Sequence, residues 1–102
     1  MNISKTQTED KTILTLSGRL DTTTAPQLQE ALLPEFDEPK EIELDFTELA
    51  YVSSAGLRVL LIGEKTAKAK GGRMTLAHVP PDIMEVFSMT GFVDILHIVS
   101  DE

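Results

Sequence analysis

The sequence predicts an α/β fold: a single domain over residues 1–102, in which a mixed β-sheet carries its helices mainly on one face. Residues 41–46 alternate strictly between acidic and apolar side chains, which is typical of a strand with one buried face. Residues 55–70 repeat their apolar side chains at helical spacing instead. Because strand-like and helix-like segments alternate, we expect a partly parallel sheet. A chain of 102 residues, 41% of them hydrophobic, suits one compact domain.

The first two strands are predicted as a hairpin over residues 3–8 and 12–17, turning at residues 9–11. Residues 18–21, Gly-Arg-Leu-Asp, close the second strand. A hairpin is antiparallel, so this one supplies an antiparallel edge to the sheet.

The first helix is predicted to follow this hairpin directly. Thr24 is its predicted N-cap, because a threonine hydroxyl can accept from first-turn amides, and Pro26 suits the first turn. Leucines at positions 28, 32 and 33 form its apolar stripe. Pro34 ends the helix, and residues 35–40, which include Pro39, are predicted as a charged loop.

The rest of the chain continues the alternation of strands and helices. The longest helix is predicted over residues 55–70, and the glycine pair at 71–72 stops it. A strand over residues 74–79 follows, then a short helix opened by Asp82 and ended by Gly91, then a strand over residues 94–99. The predicted order is β-β-α-β-α-β-α-β.

Composition and charge exclude several classes of function. A net charge of −8 opposes binding to nucleic acid, since that binding depends on neutralising phosphates. The chain has no cysteine and only two histidines, so we expect no metal site and no cofactor. The N-terminus lacks an apolar run, and the longest such run, residues 59–62, is too short to cross a bilayer. We therefore expect a cytoplasmic protein with no signal peptide and no membrane insertion.

Charge is distributed unevenly along the chain. Eight acidic residues lie between Glu30 and Glu48, whereas five of the nine basic residues lie between Arg58 and Arg73. Two interpretations stay open: these are solvated faces of two elements, or they form a charged surface for a partner protein.

Two serines, Ser53 and Ser54, stand where the strand pattern has ended and the longest helix begins. A serine at a helix start accepts hydrogen bonds from first-turn amides and acts as a cap. The same place favours an anion, because free N–H groups and the helix dipole point at it. This serine turn is therefore either a structural cap or a phosphorylation switch.

A nucleophilic serine is the catalytic alternative for this turn. The nucleophile elbow requires G-x-S-x-G, and residues 51–55 lack the first glycine. The base would have to be His78, at the end of a strand, or His97, inside the last strand, and neither has an orienting partner in the sequence. We expect the protein not to be an enzyme, and a small serine hydrolase is the least favoured of the alternatives.

Several sequence blocks arrive in a recognisable order. They are Gly-Arg-Leu-Asp at 18–21, Asp-Phe-Thr-Glu-Leu at 45–49, Val-Ser-Ser-Ala-Gly-Leu at 52–57, the glycine pair at 71–72, and Val-Phe-Ser-Met-Thr-Gly-Phe at 86–92. Together they resemble a STAS domain of the anti-sigma factor antagonist (anti-anti-sigma factor) type. The resemblance covers nearly the whole chain and implies a STAS fold in a bacterial, non-enzymatic, partner-switching protein.

The resemblance also implies a mechanism. In that family the unphosphorylated antagonist binds an anti-sigma factor, which is also a serine kinase of the histidine-kinase-like ATPase type, and so frees a sigma factor for transcription. The kinase phosphorylates a serine at this helix start, the complex dissociates, and a PP2C-type phosphatase restores binding. The phosphorylated serine falls on Ser54, two residues before Gly56. Where the family often has aspartate before it and serine after it, this chain has Ser53 and Ala55, so Ser53 is a minor rival acceptor.

A partner surface is expected around the serine turn. Residues 21–24 end one strand and start a helix, so in a parallel sheet they can lie beside the turn; their alternative role is turn and cap chemistry. Gly56 is expected to keep the approach to the turn clear of side chains. The expected partner-binding residues are Asp21, Thr22, Thr23, Thr24, Ser53, Ser54, Ala55, Gly56 and Arg58, whereas Leu57, Leu60 and Leu61 are expected in the core.

A non-phosphorylated STAS interaction module, such as a lipid-transport or stressosome-type subunit, is the alternative within the same fold. The expected oligomeric state is a monomer or a weak dimer.

Overall fold

The computed structural model describes residues 1–38 and 40–99. Its elements, in chain order, are strands β1 (Asn2–Gln7) and β2 (Lys11–Leu20), helix α1 (Ala25–Leu32), a 3₁₀ turn (Leu33–Asp37), strand β3 (Glu41–Val52), helix α2 (Ser54–Lys70), strand β4 (Arg73–Ala77), helix α3 (Pro81–Thr90), a second 3₁₀ turn (Phe92–Asp94) and strand β5 (His97–Ile98). Within these two described ranges, no helix is both long and apolar enough to cross a membrane.

The strands lie in the sheet in the same order as in the chain, β1-β2-β3-β4-β5. β1 pairs antiparallel with β2, and the other three pairs are parallel. Each parallel crossover steps to the next strand in the same direction, so right-handed crossovers place all three helices on one face. The predicted α/β fold with a mixed sheet and the predicted order of its elements are confirmed.

The core fills the space between this helical layer and the sheet. In β3 the side chains of Ile42, Leu44 and Phe46 are fully buried, and the Phe46 ring lies 6.3 Å from that of Phe87 in α3. Helices α1 and α2 contribute buried leucines to this core: Leu28 and Leu32 from α1, and Leu57 and Leu60 from α2. Leu61, which the sequence places in the core, is only half-buried.

β3 is twice as long as the predicted strand at 41–46. The prediction ends too early because the alternation of buried and outward side chains stops after Phe46, where the pairing with β2 becomes irregular. The register against β2 shifts between Thr15 and Ser17 and again between Gly18 and Arg19, and each time β3 gains one residue. Such bulges change which side chains face the core. Beyond Phe46 the buried positions of β3 are therefore Leu49 and Val52, every third residue.

The prediction of a charged loop over residues 35–40 is wrong for its first half. Residues Leu33–Asp37 form a 3₁₀ turn that buries Phe36 completely. Lys5 and Lys40 donate to the two carboxylate oxygens of Glu35 at 2.8 and 3.2 Å. Burial alone would raise the pKa of Glu35, but these two lysines outweigh it and lower the pKa. Pro39, also part of the predicted loop, lies outside the described residues.

The last two strands are shorter than predicted. β4 ends at Ala77 rather than 79, because His78 takes a left-handed backbone conformation with φ 56°. Most of the predicted strand at 94–99 is replaced by the second 3₁₀ turn and its connection, which leaves β5 two residues long. The two predicted glycine stops are confirmed: Gly71 and Gly91 have φ of 77° and 81°.

Candidate functional site

β2 and β3 end side by side, and this brings two connecting segments together. Leu20 pairs with Val52 at the end of the parallel ladder. One residue further, the Ser53 amide donates to the Leu20 carbonyl oxygen at 2.8 Å. The segment 21–24 and the serine turn are therefore neighbours, as expected for the carboxyl ends of adjacent parallel strands.

Gly56 permits this close approach. A Cβ atom at position 56 would lie 2.7 Å from Leu20 Cγ and 3.1 Å from the Leu20 carbonyl oxygen. Gly56 is buried, so the contact is internal to the domain. The expectation that Gly56 keeps the approach of a partner clear is therefore replaced by a packing role: glycine is needed here because α2 begins against β2.

Ser53, not Ser54, caps helix α2. Ser53 has an extended backbone (φ −93°, ψ 175°), and its hydroxyl oxygen accepts from the Gly56 amide at 3.3 Å. Its carbonyl oxygen accepts from the Leu57 amide at 2.9 Å. The geometry therefore assigns the cap to Ser53.

Ser54 is the first residue of α2, and its side chain is exposed. Within the described residues its hydroxyl makes no hydrogen bond, so it is not committed to holding the fold together. The amides of Ser54 and Ala55 have no acceptor inside the helix, because the first turn of any helix lacks them. Ser54 is thus an accessible hydroxyl at the positive end of a 17-residue helix.

The segment 21–24 is held by its own side chains. Asp21 Oδ1 accepts from the Thr23 amide at 3.0 Å, the Thr23 hydroxyl at 2.8 Å and the Thr24 amide at 3.2 Å. These bonds, with that from the Thr23 hydroxyl the strongest, lower the pKa of Asp21. The residues Thr22 and Thr23 are exposed.

Thr24 occupies the N-cap position of α1, as predicted, but its side chain does not cap the helix. Its backbone is helical (φ −101°, ψ −16°), which points the hydroxyl back toward the strand. There it donates to the Arg19 carbonyl oxygen at 2.8 Å and accepts from the Asp21 amide at 2.8 Å. The first helical amide, that of Ala25, donates instead to the backbone carbonyl oxygen of Asp21 at 2.8 Å.

Arg19 and Tyr51 belong to the same region and are missing from the predicted site. The two residues are cross-strand partners, and the Arg19 guanidinium carbon lies 4.1 Å from the Tyr51 ring centroid. Arg19 Nε is also 3.8 Å from Asp21 Oδ2. Tyr51, the chain's only tyrosine, is 40% exposed. An aromatic residue two positions before Ser53 is the sequence signal that could have revealed Tyr51 as part of the site.

Arg58 is exposed and lies four residues after Ser54 on α2, which puts both side chains on one side of the helix. Ala55 is half-buried. The exposed side chains around the two helix starts, which we call the serine-turn surface, are Arg19, Thr22, Thr23, Tyr51, Ser54 and Arg58.

Neither histidine lies beside this surface. β3 runs seven residues past the position where Asp45 pairs with Ala77, so His78 is roughly 20 Å of strand away from Ser53. His97 Nε2 lies 3.4 Å from Glu64 Oε2, ten residues or about 15 Å along α2 from Ser54. The serine turn thus has no histidine base. Across residues 1–38 and 40–99 no group of three or more His, Cys, Asp and Glu residues could hold a metal ion.

Named relatives share nearly the full length of this chain. A protein of Bordetella bronchiseptica named as a candidate anti-sigma factor antagonist, BtrV, is 32% identical over 96 residues, which cover 93% of this chain and 83% of the relative. The anti-sigma-B factor antagonist of Bacillus subtilis is 28% identical over 98 residues, which cover 96% of this chain and 90% of the relative.

Solved structures show the same fold. The anti-sigma factor antagonist SpoIIAA in its unphosphorylated form superposes with a TM-score of 0.79 at 19% identity, covering 98% of this chain and 90% of SpoIIAA. The phosphorylated form of the Bacillus protein gives 0.73 at 19% identity, covering 98% and 93%. A family profile described as "Mlab, STAS domain" matches residues 3–99. With the fold, the sequence profile and the relatives in agreement, the chain belongs to the STAS domain family.

Proposed function

We propose that this domain is an anti-sigma factor antagonist, which binds an anti-sigma factor through the serine-turn surface and is released when Ser54 is phosphorylated. The names of its relatives support the partner class. One observation supports Ser54 as the phosphate acceptor. The Ser53 hydroxyl caps the helix, whereas the Ser54 side chain is exposed and makes no hydrogen bond within the described residues.

The domain can accept a phosphate at Ser54 without loss of stability. A phosphoserine carries about −1.5 to −2 charge near neutral pH, and an anion in the first turn of a helix interacts favourably with the dipole. Arg58, one turn further on the same side, adds a cation within reach of the phosphate. The unfavourable effect then falls on the complex, because a bound partner would have to desolvate the added charge.

The enzymes of the proposed cycle are those that the resemblance to the anti-sigma factor antagonist type implies. The anti-sigma factor is a serine kinase of the histidine-kinase-like ATPase type, and it inactivates the domain by phosphorylating Ser54. A PP2C-type phosphatase regenerates the unphosphorylated form, which again sequesters the anti-sigma factor and frees the sigma factor for transcription.

Binding to the cognate anti-sigma factor tests the proposal. Ser54→Asp is expected to lower the affinity by at least about tenfold in isothermal titration calorimetry, and Ser54→Ala to keep it within about threefold. Ser88→Asp, at an exposed serine of α3, is the matched control and should bind like the wild type. The melting temperature of Ser54→Asp should equal or slightly exceed that of the wild type; a large decrease would mean that the substitution acts by unfolding.

A STAS interaction module that is never phosphorylated is the second candidate, of lipid-transport or stressosome type. Two observations favour it: the matching family profile is described as "Mlab, STAS domain", and Ser53 and Ala55 replace the residues that often flank the phosphorylated serine. Incubation with the cognate anti-sigma factor and ATP separates the two candidates, because the second predicts no gain of phosphate in the intact mass.

A further inference from the structure

The outward side of α2 carries cations and no exposed carboxylate. The helix has four basic residues, Arg58, Lys65, Lys68 and Lys70, and all four are exposed. Its one acidic residue, Glu64, is only 3% exposed. This distribution is unusual in a chain with 17 acidic residues and 9 basic ones.

Three of these cations, Arg58, Lys65 and Lys70, have no ion-pair partner among residues 1–38 and 40–99. Elsewhere the lysines are paired: Lys5 and Lys40 with Glu35 at 2.8 and 3.2 Å, and Lys11 with Glu43 at 2.7 Å. On α2, Lys68 lies 3.6 Å from Glu64. Arg58 and Lys65 have no carboxylate within 4.0 Å in that part of the chain.

Helix stability explains the cations at the end of α2, Lys68 and Lys70, but not Arg58 and Lys65. A cation in the last turn interacts favourably with the helix dipole, which accounts for Lys68 and Lys70. Arg58 stands in the second turn and Lys65 in the middle, where the dipole gives no such gain. Since neither pairing nor the dipole accounts for Arg58 and Lys65, these two cations are available to a partner outside the domain.

Both cations share one side of the helix with Ser54. At 3.6 residues per turn, Ser54, Arg58 and Lys65 lie within about 40° of one another around the axis and span about 16 Å along it. Leu61 and Ile62, both half-buried, lie between the cations. Lys70 points about 120° away from Arg58. Apolar side chains bordered by charged ones are the usual composition of a protein interface.

We infer that this side of α2, from Ser54 through Arg58 to Lys65, is a docking surface for an acidic face of a partner protein. The inference rests on the proposed function, in which that partner is the anti-sigma factor. Because the domain carries a net charge of −8, its overall charge repels an acidic face, whereas the cations along this side of α2 attract one; they therefore orient the encounter and raise its rate. A phosphate on Ser54 stands at the end of this surface and neutralises Arg58, which weakens the same contact.

Association kinetics with the purified cognate anti-sigma factor test the inference. The double variant Arg58→Glu/Lys65→Glu is expected to lower the association rate constant by at least about tenfold at low salt, and by much less at high salt, where the charges are screened. Lys70→Glu makes half that change of charge, the same as either single substitution, on the same helix but off this surface, and should stay within about twofold of the wild type. Arg58 and Lys65 are exposed and unpaired, so the double variant should melt at the temperature of the wild type, whereas Lys70→Glu loses a favourable interaction with the helix dipole and should melt slightly lower.

A second experiment needs no sigma-factor component. In an NMR titration with a hexaglutamate peptide at low salt, the amide shifts are expected to cluster at residues 54, 58, 61 and 65. If the wild type binds no anti-sigma factor while these shifts appear, the proposed function fails and the docking surface stands. The inference is overturned if Lys70→Glu slows association as much as the double variant does. It is also overturned if the amide shifts caused by the peptide lie elsewhere on the domain. A third contradicting result would be a double variant that binds the anti-sigma factor like the wild type and loses binding only to anionic lipid vesicles.

Discussion

Helices α1 and α2 begin next to each other at the ends of paired strands, yet their first residues are used differently. At the start of α1 the polar side chains hold one another: Asp21 binds Thr23 and Thr24, and Thr24 binds back to β2. At the start of α2 one serine does the structural work and the next is exposed. At the start of α1 the side chains of Asp21 and Thr24 are thus hydrogen-bonded within the domain, whereas the start of α2 keeps the accessible hydroxyl of Ser54.

This difference separates stability from regulation within a few residues. A side chain that caps a helix cannot be modified without loss of the cap, so a switch at a helix start is best placed on a neighbour of the capping residue. Ser53 and Ser54 divide these two roles, and Gly56 lets the start of α2 lie against the end of β2. Substitutions at these positions should have graded and distinct effects.

The largest effect is expected from Gly56→Ala, which pushes the start of α2 away from the end of β2. The new Cβ would meet the Leu20 backbone and the branch point of its side chain, neither of which can move cheaply. Overpacking of this kind costs about 1–3 kcal/mol, against a gain in helix propensity of at most about 1 kcal/mol. Urea denaturation should show a net loss in the free energy of unfolding.

Gly63→Ala is the control for this substitution. Its Cβ would approach the Cδ2 of Leu32 and the Sδ of Met74, which belong to flexible ends of side chains. The same gain in helix propensity applies, so the loss of stability should be smaller by about 1 kcal/mol. Equal losses for the two variants would remove the special role of the contact between Gly56 and Leu20.

A smaller difference is expected between the serines. Ser53→Ala removes the side-chain acceptor of the Gly56 amide and should lower the free energy of unfolding by about 1 kcal/mol. Ser54→Ala removes no hydrogen bond in the described structure and should change it by less than about 0.5 kcal/mol. The reverse order in chemical denaturation would contradict the assignment of the cap.

The smallest effect is expected in the titration of Asp21. Its pKa is held below the ordinary value of 3.8, chiefly by the hydroxyl of Thr23, so Thr23→Ala should raise this pKa in an NMR titration. Because the folded pKa is the lower one, the stabilisation from Asp21 is complete above about 3.8 and is lost as the pH falls through the folded value. Asp21→Asn should therefore differ from the wild type in stability near pH 6 and converge with it in acid. An unchanged Asp21 pKa in Thr23→Ala would show that the hydrogen bond from the Thr23 hydroxyl does not stabilise the Asp21 carboxylate.

Local patterns predict most of the fold. The order of elements, the antiparallel first hairpin and the glycine stops at 71 and 91 follow from residues close in sequence. The extension of β3 to Val52 does not, because its two register shifts depend on pairing with β2. Burial of Phe36 in a 3₁₀ turn likewise depends on the packing of distant elements.

The candidate site is predictable in its location and not in its detail. Parallel strand ends place residues 21–24 beside the serine turn, which the pairing of Leu20 with Val52 bears out. Which serine caps the helix depends on the backbone angles of Ser53, set by its hydrogen bond to Leu20 across the sheet. The stacking of Arg19 on Tyr51 arises from cross-strand pairing, which no local pattern records.

The most direct test of the account is to locate the phosphate. The wild type, Ser53→Ala and Ser54→Ala are incubated with the cognate anti-sigma factor and ATP, and intact mass is followed by peptide sequencing in the mass spectrometer. The account predicts one phosphate on the wild type and on Ser53→Ala, carried by Ser54 in both, and none on Ser54→Ala. A phosphate on Ser53 in the wild type, or any gain of phosphate by Ser54→Ala, would contradict it.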